Sequence, residues 1–314
     1  MKKEYKNIKL ELGNVSWDNE LGIYYIDMRP ALVHYLDNIY GGKFDDNGVP
    51  MIHAGEKWEY YPINIAQYGF MLHADYYETR DEKTLQILKN CLVVLENIKT
   101  RKKDYDVWLH HFPNKKYHLT IPWASAMAQG EVISFYLRMY QILKDEKLLD
   151  TAMRAYNFLK LFVDEGGVRR FDKNGNLWFE EYPTRQPLLV LNGFIYTIFG
   201  LIDLYRITKK TEIKKDIDET IKTLEKTLHD FDAGFWSFYD LGKKELVRYY
   251  YQKNVHVPQL EVLYKLTRKD VFLFYKRKWE KQLNVFNYSF VLVLYRLKNR
   301  MPWLYNKILS LWKK

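Results

Sequence analysis

The chain has 314 residues, 47% of them hydrophobic and 28% charged, with 49 Lys+Arg against 39 Asp+Glu for a formal net charge of +10. This is the composition of a folded domain with a large core; the single cysteine excludes an internal disulfide framework, and no run reaches the ~18 apolar residues that cross a bilayer as a helix. The positive balance favours an anionic partner, whether nucleic acid, acidic lipid or acidic polysaccharide.

The chain begins "MKKEYKNIKLELG". It is basic but has no apolar h-region, so no signal peptide is expected and the protein is assigned to the cytoplasm. Over residues 1–57, "LGIYYIDMRPALVHYL" mixes β-branched and aromatic residues, and "GGKFDDNGVP" is rich in turn formers. This predicts a short β-rich or extended segment lying over a helical domain.

From residue 58 to 285 one unit recurs four times: a polar amide, an apolar helix, a short charged turn and an amphipathic second helix. With Gln67, Gln129, Asn192 and Gln259 as markers the steps are 62, 63 and 67 residues. Gly69, Gly130 and Gly193 near the first-helix starts suit close approach of another backbone. The second helices show a 3.6-residue apolar period, as in "LQILKNCLVVLENI", where Cys91 reads as a core residue. The pattern predicts a mainly α fold, an incomplete (α/α) toroid of about four helical hairpins whose copies must pack together to bury their apolar faces. The long connections 99–122, 164–187 and 230–253, rich in aromatics, Gly, Pro and charge, are expected to gather at one rim of a central cleft. "WFEEYPT", Trp178 to Thr184, lies in the second of them.

Residues 286–314 form an apolar, basic tail. Two expectations stand for it: a terminal helix packed on the outside, or a segment in peripheral contact with anionic lipid at the inner face of the membrane, with Trp303 and Trp312 at headgroup level. No glycine-rich nucleotide loop, zinc ribbon or nucleic-acid-binding motif appears, and the basic residues are dispersed, so nucleic acid is not expected as a partner. His110 and His111 are adjacent and point in different directions, so no metal is expected there. Aromatics make up 17% of the chain, with 27 Tyr and 9 Trp; most should fill core, and some suit the walls of a sugar-binding groove.

The segments "YYPINIAQYGF" (60–70), "SAMAQGE" (125–131), "EEYPT" (180–184), "LNGFIYTIFGLIDLY" (191–205), "YDL" (239–241) and "HVPQL" (256–260) resemble, in sequence and order, the C-terminal domain of D-glucuronyl C5-epimerases. Those enzymes convert glucuronate to iduronate within heparan-type polymers. The membrane anchor and larger β-rich N-terminal region of animal members are not in this sequence, as expected for a minimal prokaryotic-type relative. The resemblance implies a C5 epimerase of a uronate polysaccharide such as heparosan, working in capsule or glycan biosynthesis without a cofactor, and a homodimer.

C5 epimerisation removes a weakly acidic proton beside a carboxylate and returns one on the opposite face. It needs two proton-transfer groups and cations or donors for the charge that develops on the carboxylate. The resemblance implies Glu181, Tyr182, Tyr239 and Tyr251 as the catalytic set, where Tyr251 requires a one-residue shift from Gln252 and competes with Tyr249 and Tyr250. A basic cleft is expected to stabilise a tyrosinate. Where animal members follow "YDL" with arginine, this chain has Gly242 and then Lys243 and Lys244; Arg185 and Arg248 are the other candidates for that charge. Gln67, Tyr68, Trp123, Gln129, Asn192 and His256 complete the expected substrate contacts, and Glu180 is assigned to solvent. A uronate lyase on the same toroid, a glycosidase pairing a glutamate with Asp240, and a non-catalytic acidic-glycan binder remain alternatives.

Overall fold

The structure is a computed structural model that describes residues 8–36 and 41–312, apart from the side chains of 299, 306, 311 and 312. The basic start of the chain and the Trp312 side chain lie outside the described residues.

Strand β1 (Glu11–Leu12) pairs antiparallel with β2 (Ile26–Asp27). A 3-10 turn over Arg29–Leu32 enters the one-turn helix α1 (Val33–Leu36). Strands β3 (Gly42–Phe44), β4 (Pro50–Ala54) and β5 (Lys57–Tyr60) form an antiparallel sheet. Four helical hairpins follow among the described residues: α2 (Pro62–Thr79) with α3 (Glu82–Ile98), α4 (Ala126–Leu143) with α5 (Glu146–Leu159), α6 (Leu191–Thr208) with α7 (Thr211–Thr227), and, after α8 (Tyr249–Tyr251) and a π turn over Gln252–His256, α9 (Val257–Thr267) with α10 (Asp270–Lys281). The first connection carries β6 (Lys99–Arg101), β7 (Asp106–His110) and β8 (Trp123–Ala124), and the second carries the pair β9 (Arg169–Phe171) and β10 (Leu177–Phe179). Helices α11 (Val285–Arg300) and α12 (Pro302–Trp312) follow.

The mainly helical toroid expected from the repeat is therefore present. Inner helix α4 is buried on every side from Ala126 to Met139, whereas outer helices α5 and α7 bury a single stripe. Each hairpin turns at a basic residue in the left-handed region: Arg80 (φ 59°), Lys144 (φ 55°), Lys209 (φ 54°) and Arg268 (φ 58°). Its N–H bonds the carbonyl of the tyrosine four residues earlier, Tyr76, Tyr140, Tyr205 or Tyr264. A positive charge at a helix C-terminus is favoured by the helix dipole, which suits a lysine or arginine at this position. These turns step by 64, 65 and 59 residues. The amide markers are thus not structurally equivalent, since they fall at different distances from their helix starts.

Of the three glycines, only Gly130 meets another backbone: a Cβ there would lie 2.5 Å from the Thr197 Cα, and Gly200 faces it from α6. Gly69 makes room for the Phe135 ring and Gly193 for the Glu181 carboxylate.

The N-terminal segment spans the gap between the first and fourth inner helices, with β1 and β2 against α9, and β2 and the Arg29–Leu32 turn against α2. Behind it lies a fully buried polar cluster in which Asp203 accepts from Arg138 (2.6 Å), Arg206 (3.2 Å) and the Tyr25 hydroxyl (2.7 Å). The same guanidiniums hold the segment's carbonyls at Asp18, Glu20 and Gly22. One hydrophobic core runs from Leu10, Tyr24 and Tyr25 through the hairpins to Tyr288, Val291, Leu294 and Leu309. The tail packs on the third connection, with the Tyr295 hydroxyl donating to the Leu246 carbonyl (2.5 Å) and Tyr305 to that of Lys244 (3.1 Å). Val285, Phe286, Val293 and Trp303 are exposed on it, and no described helix is long and apolar enough to cross a membrane.

Candidate active site

Backbone pairing brings the second and third connections together. Strand β10 delivers Glu180, whose carbonyl accepts the first N–H of α4 from Ala126 (3.0 Å). The Tyr239 carbonyl accepts from Leu191 at the start of α6 (3.0 Å), Tyr239 N–H donates to the Glu245 carbonyl (2.6 Å), and Leu241 and Gly242 donate to Leu188. Glu181 then sits against Gly193 on one side and Tyr239 on the other.

The Tyr239 hydroxyl donates to Glu181 Oε1 at 3.0 Å, and the Tyr182 and Tyr239 hydroxyls lie 3.4 Å apart. Glu181 Oε2 is buried without a hydrogen-bond partner. Burial pushes the Glu181 carboxyl up to about 7 against the pull of Tyr182, Tyr239 and the more distant charge of Lys116. Burial, followed by the charge of Glu181, raises Tyr182, Tyr239 and Tyr251 above the ordinary phenol value. Cations do line the cleft, Lys116 and Arg248 among them, but the expected tyrosinate runs against the local environment: burial and Glu181 favour the neutral phenols, and Glu181 is the group of this cluster pushed toward neutrality.

Tyr251 is the member of the "RYYYQ" run that faces this cluster. Its ring meets Tyr239 edge-on at 5.9 Å, and Asn192 Nδ2 donates to its hydroxyl at 3.4 Å. Tyr250 instead packs on His34, and Tyr249 on Trp236 and Tyr288. The π turn that follows widens the helix by one residue and sends Gln252 inward. There Gln252 Oε1 accepts from the Ser237 N–H and hydroxyl, both at 3.0 Å.

The pocket between these tyrosines has a volume of about 370 Å³ and draws on all three connections, through Asn114, Lys116 and Tyr117, then Tyr182, then Tyr239, Glu245, Arg248 and Tyr251, with Tyr295 from the tail. Beyond Tyr117, whose ring lies 4.3 Å from that of Tyr182, a larger groove of about 560 Å³ is lined by Trp123, Arg185 and Lys243. Arg185 and Lys243 therefore belong to the groove, and Arg248, stacked 4.5 Å over Tyr295, to the tyrosine pocket.

Several expected contacts have other duties. His256 is fully buried, its Nδ1 2.9 Å from the Ser237 hydroxyl, and burial lowers its pKa to about 3. It fixes the chain two residues before Tyr239 and lines neither cavity. Tyr68 packs between Tyr35 and Phe44 beneath the N-terminal segment. Gln129 donates to the Trp108 carbonyl at 3.4 Å, and Gln67 to Glu131 at 2.9 Å. Glu180 is not solvated: it is fully buried, pairs with Arg170 at 3.0 Å and accepts from Leu189 N–H, tying the ends of the "EEYPT" loop. Asp240 is likewise buried, accepts from Lys243 N–H within its own turn and does not line the tyrosine pocket, so it is not the distant partner that a glycosidase pair would need; the carboxylate that does line the pocket, Glu245, is paired with Lys116. Among the described residues no group of His, Cys, Asp or Glu is arranged to hold a metal ion; the His110 ring packs on Trp123 instead.

Residues missed from the sequence are Lys116, Tyr117, Glu245 and Tyr295. The run "NKKYH", basic and aromatic between two hairpins, was the available signal for the first two. Lys116 Nζ pairs with Glu245 at 2.8 Å and lies 5.7 Å from the centre of the Tyr239 ring.

A protein of Methanocaldococcus jannaschii without an assigned function is 30% identical over 178 residues, 56% of this chain and 57% of its own. The D-glucuronyl C5-epimerase of Caenorhabditis elegans is 37% identical over 131 residues, 38% of this chain and 21% of its own. The chain thus matches just over half of one relative's length and about a fifth of the other's. The cellobiose 2-epimerase of Spirochaeta thermophila superposes with a TM-score of 0.52 at 11% identity, over 82% of this chain and 69% of that one. A GH76 α-mannanase of Bacteroides thetaiotaomicron does so with a TM-score of 0.50 at 13% identity, over 76% and 63%. At these identities the two likenesses show the toroid alone. The profile described as D-glucuronyl C5-epimerase C-terminus matches residues 96–281, which hold Glu181, Tyr182, Tyr239 and Tyr251, and by that match over more than half its length the chain belongs to this family.

Proposed function

We propose that the protein is a carbohydrate epimerase that inverts C5 of a uronate, D-glucuronate to L-iduronate, within a glycan chain. The observation that carries this reading is the Glu181–Tyr239–Tyr182 cluster, a buried carboxylate titrating near 7 and hydrogen-bonded to neutral phenols, with Tyr251 facing it from a different element. A phenol is a poor base by itself, but one that can pass its own proton to a carboxylate accepts another readily. The Tyr239 oxygen takes the C5 proton as the Tyr239 proton moves to Glu181. The C–H electron pair delocalises into the adjoining substrate carboxylate, and Tyr251 delivers its proton to the opposite face. Tyr251 is then reprotonated from solvent and Glu181 releases the proton it gained. The groove beyond Tyr117 offers room for neighbouring sugars of the polymer, with Arg185 and Lys243 as its cations.

The test is incubation with a glucuronate polymer such as heparosan in D₂O, with C5 followed by NMR. Deuterium at C5 together with iduronate signals is expected. Unsaturated chain ends would assign a lyase. Binding without exchange, unchanged in Tyr182→Phe and Tyr239→Phe, would leave a glycan-binding protein.

A further inference from the structure

The charge that develops on the substrate carboxylate needs a cation or hydrogen-bond donor close to the proton-transfer cluster, because that carboxylate is bonded to the reacting carbon. Two cationic side chains line the tyrosine pocket, Lys116 and Arg248. The Arg248 guanidinium lies 4.5 Å over the Tyr295 ring, while the Lys116 ammonium stands over the rings of Tyr117 (5.0 Å) and Tyr239 (5.7 Å). We propose that Lys116 is the residue that receives the uronate carboxylate, and that Glu245 holds it ready in the free protein. This rests on the uronate reading above.

The geometry supports an exchange of partners. Lys116 Nζ is 2.8 Å from Glu245 Oε2, and Lys298 from α11 stands 3.8 Å from the same oxygen. When the substrate takes Lys116, Glu245 retains Lys298 and is not left as an unpaired charge. Burial opposes the Glu245 charge, but Lys116, together with the charges of Lys298 and Lys243, outweighs it and holds the carboxyl below its usual value. The Lys116 side chain is 52% exposed, so the ammonium can swing, while its backbone is fixed by Lys243 Nζ donating to the Lys116 carbonyl at 2.7 Å. Glu245 also accepts the Tyr239 N–H on its carbonyl (2.6 Å). One residue thus sets both the carboxylate receptor and the tyrosine that faces C5.

The experiment compares the full chain with Lys116→Gln, Lys116→Arg and the charge-matched control Lys115→Gln, on heparosan and on heparosan whose carboxyls have been reduced to alcohols. Affinity is read by calorimetry, C5 exchange by NMR, and folding by thermal unfolding. Expected are a KM for heparosan raised about 10- to 100-fold in Lys116→Gln, the loss of one charge-assisted contact, together with a lowered kcat because the contact strengthens as charge develops, no change in its affinity for the reduced polymer, substantial recovery in Lys116→Arg, and Lys115→Gln like the parent. Lys116→Gln that exchanges C5 and prefers heparosan as the parent does would overturn the role of the lysine and leave the epimerase reading intact. A parent protein that exchanges no C5 proton and binds both polymers equally overturns both.

Discussion

At the scale of single residues, Glu181 combines two features that separate function from stability. Its carboxyl titrates near 7 when folded, against about 4.5 as a free side chain. Between those values the folded state binds more protons than the unfolded one, so this group's contribution to stability falls as pH rises from about 4.5 to 7 and is level above. A shift of this size corresponds to a cost of about 3 kcal/mol at pH 8. Glu181→Gln removes the ionisation: urea unfolding should show it more stable than the parent at pH 8 and nearly equal at pH 4.5. Under the proposed mechanism kcat/KM of the parent should fall on the acid side of pH ~7, and Glu181→Gln should lower kcat by about 10²–10⁴-fold. A parent profile flat from pH 5 to 8 would remove Glu181 from the proton path. "EEYPT" and "YDL" were readable because short local motifs carry them. His256, Tyr68 and Glu180 were misplaced because sequence does not say whether a polar side chain at an element's end faces a cavity or the core. Lys116 was missed because its meaning depends on Glu245, which only the fold brings beside it.

At the scale of elements, the inner-helix contact between α4 and α6 depends on two facing glycines. Both helices are apolar around nearly their whole circumference, so they are drawn together until backbone meets backbone. A methyl group at Gly130 would stand 2.5 Å from the Thr197 Cα and 3.0 Å from the Tyr196 carbonyl oxygen. Because the obstacle is main chain, it cannot rotate away. Gly130→Ala should therefore destabilise by about 2–3 kcal/mol, as overpacked cores do, despite the better helix propensity of alanine. A loss in urea midpoint equivalent to less than about 0.5 kcal/mol would show that the helices can slide apart. The repeat was legible through its apolar helices, but its phase was better marked by the tyrosine four residues before each basic turn residue than by the amides. Amides occur wherever an inner helix needs an internal bond, whereas the left-handed turn recurs once per hairpin. The glycines read as small residues at a crossing, but what each one faces, backbone, ring or carboxylate, depends on the neighbouring hairpin.

At the scale of the whole molecule, four hairpins leave a toroid open, and the N-terminal segment lies across the gap between α2 and α9. Its attachment is polar as well as apolar. Asp203 is the carboxylate set between the buried guanidiniums of Arg138 and Arg206, which in turn hold the carbonyls of Asp18, Glu20 and Gly22. Removing one partner from a buried ionic cluster leaves uncompensated charge, which is costlier than losing the attraction itself. Asp203→Ala should therefore cost about 3–5 kcal/mol and loosen the segment, which limited proteolysis would read as earlier cleavage within residues 13–25. Replacing all three side chains, Asp203→Leu with Arg138→Met and Arg206→Met, should recover a large part of that loss, because an apolar cluster leaves no charge unpaired, although the segment's carbonyls would lose their donors. The tyrosine cluster is built at the other ends of the inner helices, so molecules of Asp203→Ala that remain folded should retain the parent kcat in the C5 exchange assay. A fall in kcat at unchanged folded fraction would show instead that closing the ring also sets the geometry of Glu181 and Tyr239, and that the toroid transmits strain from its sealed end to its open rim.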